Sequence, residues 1–331
     1  MSEGEYIEPS HEEFEDEGAD FGDDTRGSLA SLTSSIRKGV EEDGRTADET
    51  EYGMPMDEKE MERIDMAHEK YYILLEKKRF LAPIDPNLQR VLDLGCGTGM
   101  WSIDFADAHP SAEVSSLNQT FEMSTNHIRS SAWTLLRSSQ DVDDITMPWT
   151  WQKDRFDFIF LRDLLFSIRD WPALIRQCYD HLKPGGWVEF ESILGVLGCD
   201  DGTVPPDSKF REYDKHTREA ANIYGTPLED VASFKKWFEE AGFEAVVEKK
   251  YKIPTNPWPK DPRLKLIGAF EQQNFLTGIE GMSIRALKAL GWSYEEIVVF
   301  LAAVKKEIKD KRQHPYYPFY VVYGRKPEAK I

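Results

Sequence analysis

The chain has 331 residues, 40% of them hydrophobic and 12% aromatic, which suits one large α/β domain with additions or two modest domains around a sizeable core. Its formal charge of −19 argues against nucleic-acid binding, which needs a basic footprint to displace counterions, and against docking on anionic membranes. Cys96, Cys178 and Cys199 lie far apart with no CxxC or His/Cys ligand spacing, so they read as reduced thiols and no metal centre is expected. Acids rather than a basic and then apolar stretch follow Met1, and no apolar run reaches about 18 residues. A cytoplasmic protein is expected, with the nucleus as the alternative compartment.

Eleven acids precede Arg26 and no Lys or Arg does. Residues 1–50 are too acidic and too poor in apolar side chains to offset ordering entropy, so a disordered tail is expected. The sharper alternative is an acidic segment that binds a protein partner. The folded domain is expected over 51–331. It opens with a helix over 57–78, where Ile64, Ala67, Tyr71, Leu74 and Leu75 share one face and Asp57 caps the start. Strands follow at Arg90–Leu94 and Ala112–Leu117, separated by a helix from Met100 that Pro110 stops. Phe156–Leu161 reads as a buried strand, Trp171–Leu182 as a helix closed by a Lys183-Pro184-Gly185-Gly186 turn, and Trp187–Ile193 as the next strand. A helix at Phe234–Ala241 and a strand at Phe243–Tyr251 continue the alternation, and the last strand falls within 317–324. Alternating strands and helices imply a mainly parallel sheet with helices on both faces. Two stretches, 207–230 and 262–312, stand outside that alternation. They read as helical insertions, with two or three helices in the second, forming a cap beside the core of 90–200.

The first strand runs into Asp93-Leu94-Gly95-Cys96-Gly97-Thr98-Gly99. Glycines let a backbone turn sharply and approach a ligand, and the helix that follows presents N–H groups and a positive dipole end. In an open α/β sheet this point lies at the carboxyl ends of the strands, where ligands bind. A dinucleotide fingerprint would space its glycines as G-x-G-x-x-G, whereas these fall at 95, 97 and 99. The acid at position 93 would repel a pyrophosphate but pair with a cationic aminoacyl group, which points from NAD to S-adenosylmethionine.

Taken together, Val91–Ala106, Phe156–Arg162, Asp170-Trp171-Pro172, Leu182–Glu189 and Tyr320–Pro327 resemble the fungal LaeA-like methyltransferases linked to secondary metabolism. The resemblance runs from about Tyr52 to Pro327. It implies a Rossmann-like class I fold with a mainly parallel seven-stranded sheet, and S-adenosyl-L-methionine as cofactor. It implies that Asp93, Gly95, Cys96, Gly97, Thr98 and Gly99 hold the methionine part and ribose side of the cofactor. Asp143 and Asp144 would sit near the adenine amine, and Arg162 would line the cleft beside the transferred methyl, an ion-pair role being the alternative. One position departs from the pattern. Strand two of such enzymes ends in an acid that accepts hydrogen bonds from the ribose hydroxyls, and here the equivalent residue is Asn118. A neutral acceptor makes about half as strong a bond, so weakened cofactor binding is expected. Within 119–141, only Trp133–Leu136 offers a third strand. Two readings remain open: an active enzyme with a remodelled ribose side, or a relative that has kept the fold and lost methyl transfer.

Methyl transfer from a sulfonium mainly requires the acceptor to be positioned, and a hydroxyl or amine acceptor adds the need for a base. His68, His216 and His314 are the histidines placed to face an acceptor, each with a plain packing role as the alternative. Glu189 and Glu191 share one face of their strand and would orient an acceptor or pair internally. Aromatics of the C-terminal half, among them Trp258, Phe275 and Trp292, suit an apolar small-molecule acceptor. The alternative function is a regulator that works through protein partners.

Overall fold

In a computed structural model of the protein, residues 6–10, 40–42, 45–47, 58–117 and 145–329 are described. Val40–Glu42 (β1) and Arg45–Ala47 (β2) form a short antiparallel pair. The main sheet contains β3 (Arg90–Leu94), β4 (Glu113–Leu117), β5 (Phe156–Arg162), β6 (Leu182–Ile193), β7 (Glu244–Pro254) and β8 (Tyr316–Arg325). Their spatial order is β4-β3-β5-β6-β8-β7. The first three pairings are parallel, and β8 runs antiparallel to both β6 and β7. The described residues therefore supply six strands of a mixed sheet where seven were expected. The candidate for another, Trp133–Leu136, lies outside the described residues.

β5 shows why these strands read as unbroken apolar runs. Phe158 and Phe160 point into the core on one face, and Ile159 and Leu161 into the core on the other. A strand covered on both sides buries every residue. Full burial of each such side chain contributes about 1.5–3 kcal/mol. One covering layer comprises α3 (Trp171–His181) and α5 (Phe234–Ala241), whose Trp171, Phe234 and Phe238 surround Phe190. The other comprises α1 (Glu58–Leu74), α2 (Met100–Ala108) and the start of α6 (Pro262–Ala289), through Tyr71, Trp101, Phe105 and Ile267.

The cap is α4 (Lys209–Tyr224), α6 and α7 (Tyr294–Ile308), so the second insertion holds two helices. Their starts are written locally. Ser208 accepts from the Phe210 and Arg211 amides, Asp261 accepts from Leu264, and Ser293 with Glu296 forms a capping box. Each cap satisfies N–H groups that have no partner within the helix. Phe210, Phe275, Ile279, Phe300 and Leu301 make a third core that Tyr317 of β8 ties to the sheet.

Two expectations are corrected. Lys183–Gly186 is not a separate turn but the start of β6. The pairing steps from Phe156↔Leu182 to Phe158↔Trp187, so these residues form a bulge. A Cβ at Gly186 would lie 2.9 Å from the Lys183 carbonyl oxygen, which explains the glycine there. Nor is the tail unstructured throughout 1–50. Besides β1 and β2, residues 6–10 lie against the chain at 258–260: the Ser10 amide donates to the Trp258 carbonyl at 2.9 Å and the Lys260 amide to Glu8 at 2.9 Å. Ile7, the apolar residue of that stretch, is buried in the same core as Trp258. One buried side chain and backbone pairing outweigh an acidic composition there. The Asp57 cap lies outside the described residues. No described helix is long and apolar enough to cross a membrane.

Candidate active site

The carboxyl ends of β3, β5 and β6 lie side by side, with Leu94 level with Leu161, and Phe190 level with Leu161 on the other side. β3 passes directly into the glycine loop. Gly95, Gly97 and Gly99 all have positive φ, at 71°, 55° and 80°, the region that favours glycine. At Gly95 a Cβ would also come within 2.4 Å of the Leu164 side chain. Asp93 is buried at the strand end, and the Ser102 hydroxyl of α2 donates to it at 2.6 Å. Burial raises the Asp93 pKa to about 6 against the stabilising Ser102 hydrogen bond and the charge of Arg162. Burial, then the Asp93 charge, pushes the Cys96 thiol up to about 12, so it stays protonated.

α1 lies across this loop. Its Arg63, Ile64, Ala67, His68 and Tyr71 line a cavity of about 230 Å³ together with Asp93, Gly95, Cys96 and Gly97. His68 Nδ1 lies 2.9 Å from the Arg162 guanidinium and Nε2 2.9 Å from Asp104. A guanidinium only donates, so Nδ1 accepts and Nε2–H donates to Asp104. That arrangement occupies the His68 lone pair and leaves no free base nitrogen. His68 orients Arg162 rather than accepting a proton. Arg162 lines the cavity, and its Nη1 lies 3.8 Å from Glu191. Its guanidinium also sits over the rings of Tyr71 and Phe160.

Asp163 follows Arg162 with φ of 50°, unusual for a residue with a side chain. Its carboxylate accepts from the Tyr71 hydroxyl through one oxygen and from the Ile193 amide at 3.0 Å through the other. Both Tyr71 and Asp163 line the cavity. Burial, then the Asp163 charge, raises the Tyr71 pKa well above its ordinary value, so the phenol keeps its proton. No sequence pattern links the two residues of this pair. A polar residue directly after an apolar strand, at the edge where ligands bind, was the signal available for Asp163.

The cap closes the far end with Tyr213 and Thr217 of α4, Asn274 and Phe275 of α6, and Tyr317. Arg63 grips Glu60 with two hydrogen bonds of 2.9 and 2.6 Å and donates to Asn274 at 2.8 Å. Lys70 and Glu271 pair at 2.5 Å with almost no exposure, 1% and 2%. α1 and α6 are thus joined through charged side chains.

The remaining expected residues fall elsewhere. Thr98 and Gly99 belong to the loop but do not line the cavity. Glu189 lies below it, fully buried, accepting from the Leu81 amide at 2.8 Å and the Ala82 amide at 2.5 Å. It anchors the segment after α1 and does not reach an acceptor. Neither carboxylate oxygen of Glu191 has a hydrogen-bond partner among the described residues, and burial followed by the Glu189 charge raises its pKa. His216 pairs with Glu219 at 3.0 Å beside Trp292, and His314 with Asp201 at 2.5 Å beside Trp258. Both are held away from the cavity by acids of their own neighbourhood, so neither serves an acceptor there. Of the C-terminal aromatics Trp237, Phe238, Trp258, Phe270, Phe275, Trp292 and Phe300, expected as a group to suit an apolar acceptor, Phe275 lines the cavity and the others do not. Asn118, Asp143 and Asp144 lie outside the described residues. Among the described residues no group of three His, Cys, Asp or Glu side chains could hold a metal ion.

The loop, Asp93 and the start of α2 fit the aminoacyl end of S-adenosylmethionine: a carboxylate for its ammonium, glycine backbone for close approach, and a helix N-terminus for its carboxylate. Comparison with known proteins agrees. Residues 66–248, more than half of the chain, match the family described as a methyltransferase domain. The chain is 36% identical to methyltransferase pytC of Aspergillus terreus over 308 residues, covering 92% of this chain and 93% of that protein. It is 33% identical to the probable methyltransferase tdiE of Emericella nidulans, with 82% and 83% covered, and 32% identical to the secondary metabolism regulator LAE1 of Cochliobolus heterostrophus, with 84% and 90% covered. The chain belongs to the LaeA-like family of fungal S-adenosylmethionine-dependent methyltransferases.

Proposed function

We propose that the acceptor is a small, largely apolar molecule of fungal secondary metabolism, methylated on oxygen or nitrogen. The observation that carries this reading is a single cavity with the glycine loop and Asp93 at one end and Tyr213, Phe275 and Tyr317 at the other. A concave, mostly apolar space with a few fixed polar groups suits a small molecule better than a polypeptide.

The cofactor supplies a methyl group on a positively charged sulfur. In this reading Asp93 binds the cofactor ammonium, and the backbone of Gly95 to Gly97 allows close approach. Asn118 accepts from the ribose, and Asp143 and Asp144 lie toward the adenine. Arg162, fixed by His68, holds the wall between the two ends. The cap excludes water and aligns the acceptor, and such alignment supplies much of the rate in a displacement reaction.

Calorimetric titration with S-adenosylmethionine and S-adenosylhomocysteine tests the first half, and no binding up to millimolar ligand overturns it. Incubation of the protein with methyl-labelled cofactor and a fungal metabolite extract tests the second. Label is expected in the solvent-extractable small molecules. Label confined to protein would replace this reading with that of a regulator acting on protein partners.

A further inference from the structure

We infer that Tyr71 and Asp163 are the proton-accepting pair of the reaction, with the Tyr71 oxygen facing the acceptor and Asp163 behind it. This inference rests on the methyl-transfer reading above.

The position comes from the strand register. Leu94 and Leu161 are level, so the chain leaves β3 into Gly95 and Cys96 where it leaves β5 into Arg162 and Asp163. Asp163 therefore stands at the strand edge beside the loop that fits the cofactor. Contacts from separate elements fix it there. The Ile193 amide donates at 3.0 Å and the Ser192 hydroxyl at 3.4 Å to Oδ1, while its own amide donates to the Glu191 carbonyl at 2.9 Å. Oδ2 is left for the Tyr71 hydroxyl. A left-handed backbone at a residue with a side chain is disfavoured and persists only where the surroundings fix it, often at an active site.

Tyr71 is equally constrained. Its ring stacks on Phe319 at 4.7 Å, with Lys70 Nζ 4.2 Å from its centroid and the Arg162 guanidinium 5.1 Å from it. Lys70 is held in turn by Glu271. The phenol thus has one fixed direction for its proton, toward Asp163, and one oxygen that can still accept. His68 is excluded from the task because Arg162 and Asp104 occupy both its ring nitrogens. Glu189 is excluded because its carboxylate is turned to the Leu81 and Ala82 amides.

The balance of the step is simple. The acceptor O–H or N–H gives its proton to the Tyr71 oxygen as the Tyr71 proton passes to Asp163. The acceptor lone pair forms the bond to the methyl carbon, and the carbon–sulfur bond breaks with its electrons left on sulfur. A sulfonium and a carboxylate become a thioether and a carboxylic acid. The arrangement selects acceptors that carry a removable proton, that is hydroxyls and amines, over thioethers.

Sinefungin tests the pair without an acceptor, because it carries an ammonium-bearing carbon where the cofactor carries its methylsulfonium. Its N–H groups should donate to the Tyr71 oxygen, which Asp163 polarises. By calorimetry, the native protein should bind sinefungin about tenfold more tightly than S-adenosylhomocysteine, a charge-assisted contact. Tyr71→Phe, which keeps the stacked ring, and Asp163→Asn, which keeps a side chain tolerant of the left-handed backbone, should each abolish that preference. Affinity for S-adenosylhomocysteine should stay within about threefold in both. No preference in the native protein, or a preference that survives either substitution, overturns the inference. If the native protein binds neither ligand, the methyl-transfer reading itself fails instead.

Discussion

The two ends of the cavity are built in different ways. At the end that carries the glycine loop, ten consecutive residues from Asp93 to Ser102 supply the strand terminus, the loop and the hydroxyl that holds the carboxylate. Under the cap, the wall is assembled from Arg63, Tyr213, Asn274 and Tyr317, which meet only through the fold. Backbone makes the first and side chains the second. A backbone-built site survives wide sequence change provided its glycines remain, whereas a side-chain wall changes with each substitution.

The sharpest way to break this contrast is to disturb each end alone. Glu271→Ala removes one partner of a buried ion pair and strands the Lys70 ammonium, which should cost about 3–5 kcal/mol of stability in urea unfolding. The double substitution of Lys70 and Glu271 by Met should recover most of that loss, because no charge is then left unpaired. Affinity for S-adenosylhomocysteine, measured on the folded fraction, should change little in either. A large loss of affinity would mean that the two ends are one unit.

Gly95→Val addresses the other end. The branched side chain meets Leu164 and must adopt a left-handed backbone, so the loop shifts. S-adenosylhomocysteine binding should weaken at least about a hundredfold, or about 2.7 kcal/mol, while circular dichroism retains the helical signal. Retained affinity would place the cofactor elsewhere in the cavity.

The smallest expected effect is one of pH. Asp93 holds its proton up to about pH 6, so its attraction for the cofactor ammonium fades as the pH drops through that value. Affinity should fall about fourfold between pH 7.5 and 5.5, from the change in ionised fraction alone. Stability moves the other way for this group. Its folded-state pKa is raised, so its contribution is full below about pH 4, where the unfolded carboxyl is also protonated, and is lost as the pH rises through 6. The buried Glu191 has the same sign. A rise in the thermal midpoint together with a fall in affinity on mild acidification would support the assignment. A parallel fall of both would point to other groups.

The same contrast decides what the sequence made legible. The loop, the strands around it and the helical cap insertions were readable because each is a local pattern. The Tyr71–Asp163 pair was not, since its members stand 92 residues apart and nothing local links the residue after β5 to the helix face that carries Tyr71. His68 lines the cavity, but its two ring nitrogens are taken by Asp104 and Arg162, partners that no local pattern announces. For His216, His314 and Glu189 the packing or pairing alternative holds, because what a titratable side chain does depends on which acid or amide reaches it. The bulge at Lys183–Gly186 was hidden because a Pro-Gly-Gly run signals a turn equally well in both settings.

The Tyr6–Ser10 segment has a practical consequence. It is stitched beside the start of the 28-residue helix whose later turns carry Asn274 and Phe275 to the cavity. Shortening the protein to begin at the first long helix would remove Ile7 from the core it shares with Trp258, along with the backbone bonds to residues 258–260. Such a truncated chain should fray where that helix begins. A deletion that starts after Ser10 and spares this stitch is the safer way to trim the acidic stretch.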